Sequence, residues 1–595
     1  MRRSVMSQVG RMLREAVLAG RDSMRTGIPI DEVTDMRAER AEHVRVQAHE
    51  AAEIYTAANL RRIETGNPED DDRATLALMN LRRVGRRDLI KGSAAALALL
   101  ALTRSRKAEA KGGSAPTIAI IGGGLAGLRT AHYLWTQYGW KSTIYEANSD
   151  VGGRCETNRN YFANNTIAEM HGEFVSTEHA SMFNLINLFK LGTDDANAYP
   201  TGTNNTYWCN GARYTQAMLN ADWTTWAWSF FNSQVKAVPW PQRYNSYTAL
   251  AHTYDQMTVP DWINKYQQGG TASQFGQLCL ANNRSEYGGE PTDQSALSHM
   301  FMLGYDDSIT KGRGYQPKAS PVLAGTNERW HITQGSDAVV TGMINALPAG
   351  TVQLNQQLTA VVANSNGTYT LTLQSGTNTT TTTVQSVVLA LPFKVLRNVD
   401  LSKAGLSTLK MTAINGLGMG TSGKVVLECN GAPWHSAGYQ GTMYQNAGMF
   451  SCGWQMPQSA ALGGYNSTTA LWTSFPSGNE SLNIIAKYGV NLHEGVPPAA
   501  LVTDTLAAAE AILPGITASC TGKAWYHFGY NDPFVQGGYS YYRVGQYTSF
   551  SGYEQVAEGH IHFAGEHTST DFQGFMEGAV TSGERVAQEI KASGA

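Results

Sequence analysis

The sequence predicts an α/β fold, of the two-domain α+β kind, in which two domains are interleaved along one chain. An apolar strand, Thr117 to Ile121, runs into a glycine-rich turn and then into a helix from Leu128 to Tyr138. A second short strand, Ser142 to Tyr145, follows at once, which is the pattern of a parallel sheet with crossover helices. A strand, turn and helix recur from Ile561. The sheet is therefore expected to be assembled from separated pieces of chain.

Composition favours a large globular protein. The 595 residues are 42% hydrophobic and 16% charged, with a formal net charge of −3, so extensive disorder is excluded and nothing indicates a nucleic-acid partner. Six cysteines are scattered without a CxxC spacing, which predicts no metal cluster. Disulfides and buried free thiols both remain open for Cys155, Cys209, Cys279, Cys429, Cys452 and Cys520.

Residues 1–113 are interpreted as a leader. Arg86 and Arg87 precede an apolar run, Ala94 to Leu102, and small residues at positions 108 and 110 follow. This order is typical of a twin-arginine export signal cleaved after Ala110. It predicts a periplasmic or extracellular protein. The signal begins shortly after Met79 rather than at the start of the sequence. Three explanations stay open: an over-extended gene start, a long leader and a retained pro-segment.

The strongest motif is GxGxxG, formed by Gly122, Gly124 and Gly127 with Leu125 and Ala126 inside it. The first glycine allows a tight turn, the second lets the backbone approach a diphosphate, and the third lets the helix pack on the strand. The diphosphate would lie at the helix N-terminus, where free N–H groups favour an anion.

An acidic residue at the end of the second strand strengthens this prediction. Glu146, with Ala147 beside it, stands nineteen residues after Gly127 and is placed to accept hydrogen bonds from ribose hydroxyls. The motif alone does not separate FAD from NAD. Gly152-Gly153-Arg154 follows closely and is typical of flavoproteins, in which the arginine contacts the diphosphate.

The C-terminal segment completes the pattern. Gly565 and Glu566 follow a strand, and Gly574, Phe575 and Met576 begin a helix with small residues on one face. Small residues let such a helix approach a cofactor closely, with its N-terminus towards the flavin or its diphosphate.

With these pieces the chain resembles the flavin amine oxidase family of monoamine, polyamine and L-amino-acid oxidases, from about Pro116 to Gln588. Glu169–Val175 resembles the family segment beside the flavin. Arg329–Ser336 resembles the family segment that leads back into the FAD-binding domain. Ala390–Pro392 resembles the end of the family's strand near the flavin. The resemblance implies non-covalent FAD, because Gly537–Tyr542 lacks the cysteine to which some monoamine oxidases attach it.

The family implies a set of cofactor contacts. They are Gly122, Gly124, Leu125, Ala126, Gly127, Glu146, Ala147, Gly153, Arg154, Glu169, Met170, His171, Gly172, Val362, Gly565, Glu566, Gly574, Phe575 and Met576. Lys424 matches the lysine near flavin N5, which assists reoxidation by oxygen, and a cation there stabilises negative charge as oxygen is reduced. No metal is expected.

The expected substrate contacts are Glu173, Phe174, Tyr539, Tyr541 and Phe575. Many L-amino-acid oxidases place an arginine shortly after the Glu169 motif, where it clamps the substrate carboxylate. Phe174 occupies that position here, so the substrate lacks a carboxylate or another group binds it. Arg543 is the alternative considered.

The predicted FAD-binding domain, of Rossmann-like GxGxxG type, comprises residues 114–178, 334–395 and 556–595. A mixed-sheet and helical substrate domain is inserted as residues 179–333 and 396–555. The resemblance implies oxidative deamination of an L-amino acid: hydride passes to the flavin, the imine hydrolyses to a keto acid and ammonia, and oxygen is reduced to hydrogen peroxide. An oxidase of amines without a carboxylate, and a flavin dehydrogenase or non-oxidase flavoprotein, are the alternatives. The expected partners are a small-molecule amine or amino-acid substrate, oxygen and a second copy of the chain in a homodimer.

Overall fold

The computed structural model describes residues 116–304 and 327–593. The leader predicted for residues 1–113, with its export signal, lies outside the described residues. Within the two described ranges, no helix is both long and apolar enough to cross a bilayer. The described chain is a mixed α/β structure, which confirms the predicted fold class.

The strands of the described residues are short, with the longest in the second half of the chain. In chain order they are β1 Ile118–Ile121, β2 Thr143–Tyr145, β3 Thr157–Asn158, β4 Ala168–Glu169, β5 Phe174–Val175, β6 Thr193–Asp195, β7 Asn204–Cys209, β8 Ala212–Tyr214, β9 Trp330–Ile332, β10 Val352–Gln353, β11 Gln357–Ala363, β12 Tyr369–Ser375, β13 Asn378–Val384, β14 Ser386–Leu389, β15 Asp400–Lys403, β16 Gly418–Met419, β17 Lys424–Asn430, β18 Tyr439–Gln445, β19 Cys452–Gln455, β20 Thr469–Phe475, β21 Glu494–Gly495, β22 Cys520–His527, β23 Ser540–Tyr541 and β24 Ile561–Phe563.

The α-helices cluster between β8 and β9 and around the sheets. They are α1 Leu125–Tyr138, α2 Ala180–Leu188, α3 Gln216–Asp222, α4 Trp228–Ala237, α5 Ala249–Asp255, α6 Val259–Tyr266, α7 Gln274–Tyr287, α8 Ala296–Gly304, α9 Asp337–Ala346, α10 Phe393–Leu396, α11 Thr408–Gly416, α12 Asn479–Tyr488, α13 Ala499–Glu510, α14 Ile516–Ser519, α15 Gln546–Ser549 and α16 Met576–Ser593.

A parallel five-stranded sheet, in the order β10-β2-β1-β14-β24, holds the glycine-rich turn. Strands β1, β14 and β24 are fully buried, as expected for a parallel sheet covered on both faces. Helix α16 lies close against α1, since a Cβ added at Gly583 would stand 2.5 Å from the carbonyl oxygen of Ala126. All five strands fall in the three stretches predicted for the FAD-binding domain.

A mixed eight-stranded sheet, in the order β21-β22-β17-β20-β19-β18-β7-β8, forms the other layer. Its central strand β17 begins at Lys424, which pairs with His527 at the end of β22. Because residues paired across neighbouring strands project on one face, the two side chains stand together at the same end of these strands. Lys424 there contacts the segment from Glu169 to Glu173.

One predicted loop is wrong. The stretch Thr377 to Thr383 is expected from its composition to be an exposed hairpin loop, but Asn378–Val384 forms strand β13, paired along its length with β12. The turn is confined to residues near Gly376, whose φ is +58°. Threonine favours strands, and this edge strand is exposed at every residue except Thr382 and Val384, so polarity alone does not separate it from a loop.

All six cysteines are free thiols, and five of them are buried. Of the two outcomes left open by the sequence, the structure therefore has unpaired thiols. Burial raises the pKa of the Cys155 and Cys452 thiols well above their usual range. Both line the cavity described next, and in the thiol form they are poor nucleophiles.

Candidate active site

A cavity of about 900 Å³ lies between the parallel sheet and the eight-stranded sheet. That volume is near the upper end for small-molecule and cofactor sites. Its wall combines the glycine-rich turn, the segments around Arg154 and Glu173, the start of β17 and the N-terminus of α16.

The glycine-rich turn leaves the N-terminus of α1 open to the cavity. Gly124 caps the helix in an extended conformation, and no side chain bonds to the first N–H groups. A Cβ at Gly124 would meet only the carbonyl of Gly152, at 3.8 Å, whereas one at Gly127 would stand 2.0 Å from the carbonyl oxygen of Gly122. Gly124 therefore serves ligand approach and Gly127 serves packing. An uncapped helix N-terminus in a cavity suits a diphosphate.

Glu146 is held at the end of β2 by backbone donors. Its Oε2 accepts from Gly123 N at 2.6 Å and its Oε1 from Asn148 N at 2.8 Å. Burial, the largest influence, raises the pKa of this carboxyl above its usual value although these bonds oppose it. Each oxygen keeps a lone pair, so the carboxylate is fixed in place to accept from a ribose hydroxyl.

We expect Glu146→Ala to weaken FAD binding by about one to two orders of magnitude, because charge-assisted hydrogen bonds contribute about 1.5–3 kcal/mol. Flavin fluorescence titration of the apoprotein measures the dissociation constant. Glu146→Gln is the matched control, since it keeps an acceptor oxygen and should lose less affinity. Unchanged affinity in both variants would contradict the assignment.

Arg154 and Glu566 form a partly buried ion pair between the two halves of the cofactor site. Arg154 Nη1 donates to Glu566 Oε1 and to the carbonyl of Gly538, both at 2.8 Å. Glu566 Oε2 also accepts from Ser540 Oγ and Gly574 N. Burial alone would raise the pKa of Glu566, but Arg154 and these donors hold it below its usual value. Glu566 therefore orients Arg154 and the start of α16.

Lys424 lies at the centre of the opposite wall. Its Nζ donates to Glu173 Oε2 at 2.8 Å and to the carbonyl oxygens of Glu169 and His171 at 2.8 and 3.1 Å. Glu173 Oε1 accepts from Trp454 Nε1 at 3.0 Å. Both charged side chains are almost fully buried. All three ammonium protons are used, so the pair is neutral overall and rigid.

The cavity wall includes most of the predicted site residues. They are Gly122, Gly124, Leu125, Ala126, Glu146, Ala147, Gly153, Arg154, Met170, His171, Gly172, Glu173, Phe174, Lys424, Tyr539, Gly565, Glu566, Gly574, Phe575 and Met576. Four others, Gly127, Glu169, Val362 and Tyr541, do not line it.

Glu169 and Val362, both predicted as cofactor contacts, lie outside the cavity wall. The Glu169 carboxylate is buried against His331 Nε2 at 3.1 Å, Ser336 N at 3.0 Å and Thr157 Oγ1 at 2.8 Å. It ties the flavin-side segment to α9 and β9, and only its carbonyl reaches the site, through Lys424. Val362 lies too far along β11, whose first residues, Gln357 and Leu358, line the cavity instead.

Tyr541 and Arg543 are also placed outside the cavity. The Tyr541 hydroxyl donates to Asp293 Oδ2 at 2.6 Å, and its ring covers Gly289 and Gly418. Arg543 pairs with the same Asp293 at 3.0 Å and is about half exposed. Neither Tyr541, predicted as a substrate contact, nor Arg543, the alternative carboxylate clamp, lines the cavity, and both side chains bind Asp293 instead.

Sequence reasoning missed a cluster of histidines beside Lys424. The rings of His171 and His527 are in contact, with centroids 4.0 Å apart. Burial, assisted by the neighbouring histidine His493, lowers the pKa of His527 to about 3, so it is neutral. Burial and Glu494 raise the pKa of Glu156, beside it, to about 7. Glu156, His171 and His527 come from separate segments, and no local motif unites them.

Comparison with known proteins decides the family. The family described as flavin containing amine oxidoreductase matches residues 125–591. The chain belongs to this family. FAD is its cofactor, and the open N-terminus of α1, Glu146 and the Arg154–Glu566 pair form the part of the cavity that fits a dinucleotide. When bound, FAD supplies the electron acceptor for oxidation of the substrate.

The chain is similar to relatives named as oxidases. It is 24% identical to the flavin-containing amine oxidase A of Equus caballus over 487 residues, covering 79% of this chain and 84% of the relative. It is 23% identical to the putative L-amino-acid oxidase YobN of Bacillus subtilis over 513 residues, covering 79% and 94%. The structure of cyclohexylamine oxidase from Brevibacterium oxydans superposes with a TM-score of 0.66 at 18% identity, covering 81% of this chain and 99% of that one.

Proposed function

We propose that this member of the family is an oxidase of primary amines that lack an α-carboxylate. Water and oxygen would be consumed and an aldehyde, ammonia and hydrogen peroxide released. The neutral amine is the reactive form, since an ammonium has no lone pair to drive the loss of hydride.

The distribution of charge in the cavity carries this proposal. Among the described residues of the wall, the lysine and arginine side chains are Lys424 and Arg154, and both are already bonded to carboxylates. Binding a substrate carboxylate would require a free cation, because a buried unpaired charge is costly. Glu328 lines the same space, and its carboxylate, when charged, would repel a substrate carboxylate.

Lys424 supports the use of oxygen. A buried cation at the reacting end of the cavity stabilises negative charge that develops as oxygen is reduced, and this effect is strong where water is excluded. The Trp454 ring lies 5.4 Å from Lys424 Nζ and packs against Phe174, and apolar surface at this end of the cavity favours the unprotonated amine. L-amino-acid oxidation stays the second candidate, on the similarity to the Bacillus subtilis protein of that putative function.

Peroxide release from FAD-loaded protein tests the proposal with matched pairs. Phenethylamine is compared with L-phenylalanine, and isopentylamine with L-leucine, each pair differing only in the carboxylate. We expect kcat/KM to be at least about tenfold higher for the amine, because an uncompensated carboxylate in a buried site costs more than 1.4 kcal/mol. Oxidation of the L-amino acids alone would overturn it in favour of the second candidate. Flavin reduction without peroxide would identify a dehydrogenase.

A further inference from the structure

Two of the six free cysteines lie directly opposite each other in the eight-stranded sheet. Cys429, near the end of β17, pairs with Cys520, the first residue of β22, in an antiparallel ladder. Both side chains belong to one apolar cluster, in which Cys429 is fully buried and Cys520 is partly exposed. Residues paired in this way project on one face of the sheet, so the two thiols share the same space.

The register that pairs the two cysteines is fixed by a bulge beside them. The ladder between β17 and β22 shifts at residues 521–523 before it reaches the cysteines. Within the bulge, Thr521 Oγ1 donates to Glu428 Oε1 at 2.8 Å, and Gly522 turns with a φ of +89°. Glu428 directly precedes Cys429, so this hydrogen bond holds the two strands together next to the cysteine pair.

A directly opposed pair of this kind fits the geometry of a disulfide. Opposite Cα atoms of antiparallel strands lie about 4.5–5.5 Å apart, and the Cα atoms of bridged cysteines lie about 4.4–6.8 Å apart. Joining the two sulfurs therefore needs no large movement of the backbone. In the ladders of the described residues, the two other cysteines that lie in strands, Cys209 and Cys452, are not paired with a cysteine.

The two sulfurs differ in their access to solvent. Cys520 is partly exposed and is followed by three exposed residues, 521–523. Cys429 is buried, and burial, opposed in part by a hydrogen bond with Ser519, raises the pKa of its thiol to about 12. A soluble oxidant therefore reaches Cys520 first, and Cys429 reacts only with the neighbour that the sheet holds against it.

We propose that Cys429 and Cys520 form a disulfide when hydrogen peroxide oxidises the protein, and that this bond clamps β17 to β22. In the first step the Cys520 sulfur attacks one peroxide oxygen and the O–O bond breaks; a sulfenic acid forms, and the thiol proton leaves in a molecule of water. In the second step the Cys429 sulfur attacks the sulfenic sulfur, the S–S bond forms, the S–O bond breaks and a second water leaves. The two thiols together lose two electrons, which reduce one peroxide to two waters.

The clamp acts on the two strands that carry the reacting end of the cavity. Strand β17 begins at Lys424 and β22 ends at His527, and both residues line the cavity. Cys429 and Cys520 lie at the far end of the same strands and do not line it. The bond closes a loop of about 90 residues, and a link across so long a loop restricts the unfolded chain strongly. The disulfide therefore stabilises the strand pair without entering the site.

Thiol counting after peroxide treatment tests the pair. The FAD-loaded full chain is treated with hydrogen peroxide, denatured and alkylated, and its peptides are identified by mass spectrometry. We expect the protein to lose two of its six thiols and to yield a peptide pair that links Cys429 to Cys520 and separates on reduction with dithiothreitol. Six remaining thiols, a disulfide between other cysteines, a link between two chains, or sulfinic acid at Cys520 in place of a disulfide overturns the proposal.

A serine variant of the partly exposed cysteine is the decisive comparison. Cys520→Ser keeps nearly the same size at a position that solvent already reaches, and its five remaining thiols should all survive the treatment. Cys279→Ala is the matched control, because Cys279 is buried on α7, outside this strand pair, and this variant should still lose two thiols. Loss of two thiols from Cys520→Ser overturns the assignment.

The clamp should also raise thermal stability. Peroxide treatment is expected to raise the midpoint of thermal unfolding by about 3 °C or more. The rise should reverse after reduction with dithiothreitol and should be absent in Cys520→Ser. A disulfide that forms without a change in the midpoint overturns the clamp. Because peroxide is added in every measurement, the result does not depend on which substrate the enzyme oxidises, and failure of the proposed function leaves this test intact.

Discussion

Replacing Lys424 by methionine is expected to slow reoxidation of the reduced enzyme by oxygen about 100-fold. Removal of one buried group that stabilises developing negative charge costs two to three orders of magnitude in other enzymes, and methionine keeps the length of the side chain without the charge. The rate is measured by reducing the enzyme anaerobically with substrate and mixing it with oxygen. Substrate reduction of the flavin should change less than reoxidation does.

Lys424 also neutralises a buried carboxylate, so its loss destabilises the fold. Leaving Glu173 charged and unpaired costs about 3–5 kcal/mol, measured as the free energy of unfolding in denaturant. The double variant Lys424→Met, Glu173→Gln removes both charges and should recover much of that stability while reoxidation stays slow. If the double variant regains fast reoxidation, the lysine acts only through the stability of the site, and its assignment is wrong.

Gly127→Ala is expected to abolish FAD binding and to destabilise the FAD-binding domain by about 3 kcal/mol or more. The added methyl would stand 2.0 Å from the backbone carbonyl oxygen of Gly122, and neither backbone segment can yield without moving α1 off the sheet. Overpacking of a rigid contact is costly for that reason. Thermal unfolding and flavin content of the purified protein measure the two effects.

Gly124→Ala is the matched control, three residues away in the same motif. Its φ of −74° suits alanine, and the methyl would meet nothing closer than 3.8 Å. The apoprotein should therefore keep its stability, while FAD affinity falls because the methyl enters the space kept for the diphosphate. Equal stability of the two apoprotein variants would contradict the distinction between a packing glycine and a ligand-facing one.

The parallel sheet could be predicted because its signals are local. Buried strands, the glycine spacing and the acid at the end of β2 all follow from short stretches of sequence. Strand β13 could not, because a threonine-rich edge strand with both faces exposed has the composition of a loop. Its structure depends on the pairing with β12, which composition does not report.

Positions in the candidate site could be predicted where a motif fixes the backbone. The hydrogen-bond and ion-pair partners of individual side chains could not. Glu169 and Glu173 are close in sequence, yet one binds His331 and the other Lys424. Tyr539 and Tyr541 are also close in sequence, yet the hydroxyl of Tyr539 donates to the carbonyl oxygen of Ser285 and that of Tyr541 donates to Asp293. Glu286 and Glu328 carry no motif at all. Both line the cavity, one from the last turn of α7 and the other from the residues just before β9, and only tertiary structure determines this.

The strand order of the parallel sheet has a consequence for biogenesis. Strand β24 and helix α16 supply an edge of that sheet and one wall of the cofactor site, yet they follow all other described elements in the sequence. During synthesis, the glycine-rich turn is therefore made more than 400 residues before the strand and helix that complete its sheet, counted from Gly127 to Ile561. A complete cofactor site requires β24 and α16 to have been made, and contacts of such long range fold slowly. Deleting the chain from Ile561 onwards should leave a protein that never acquires its yellow colour.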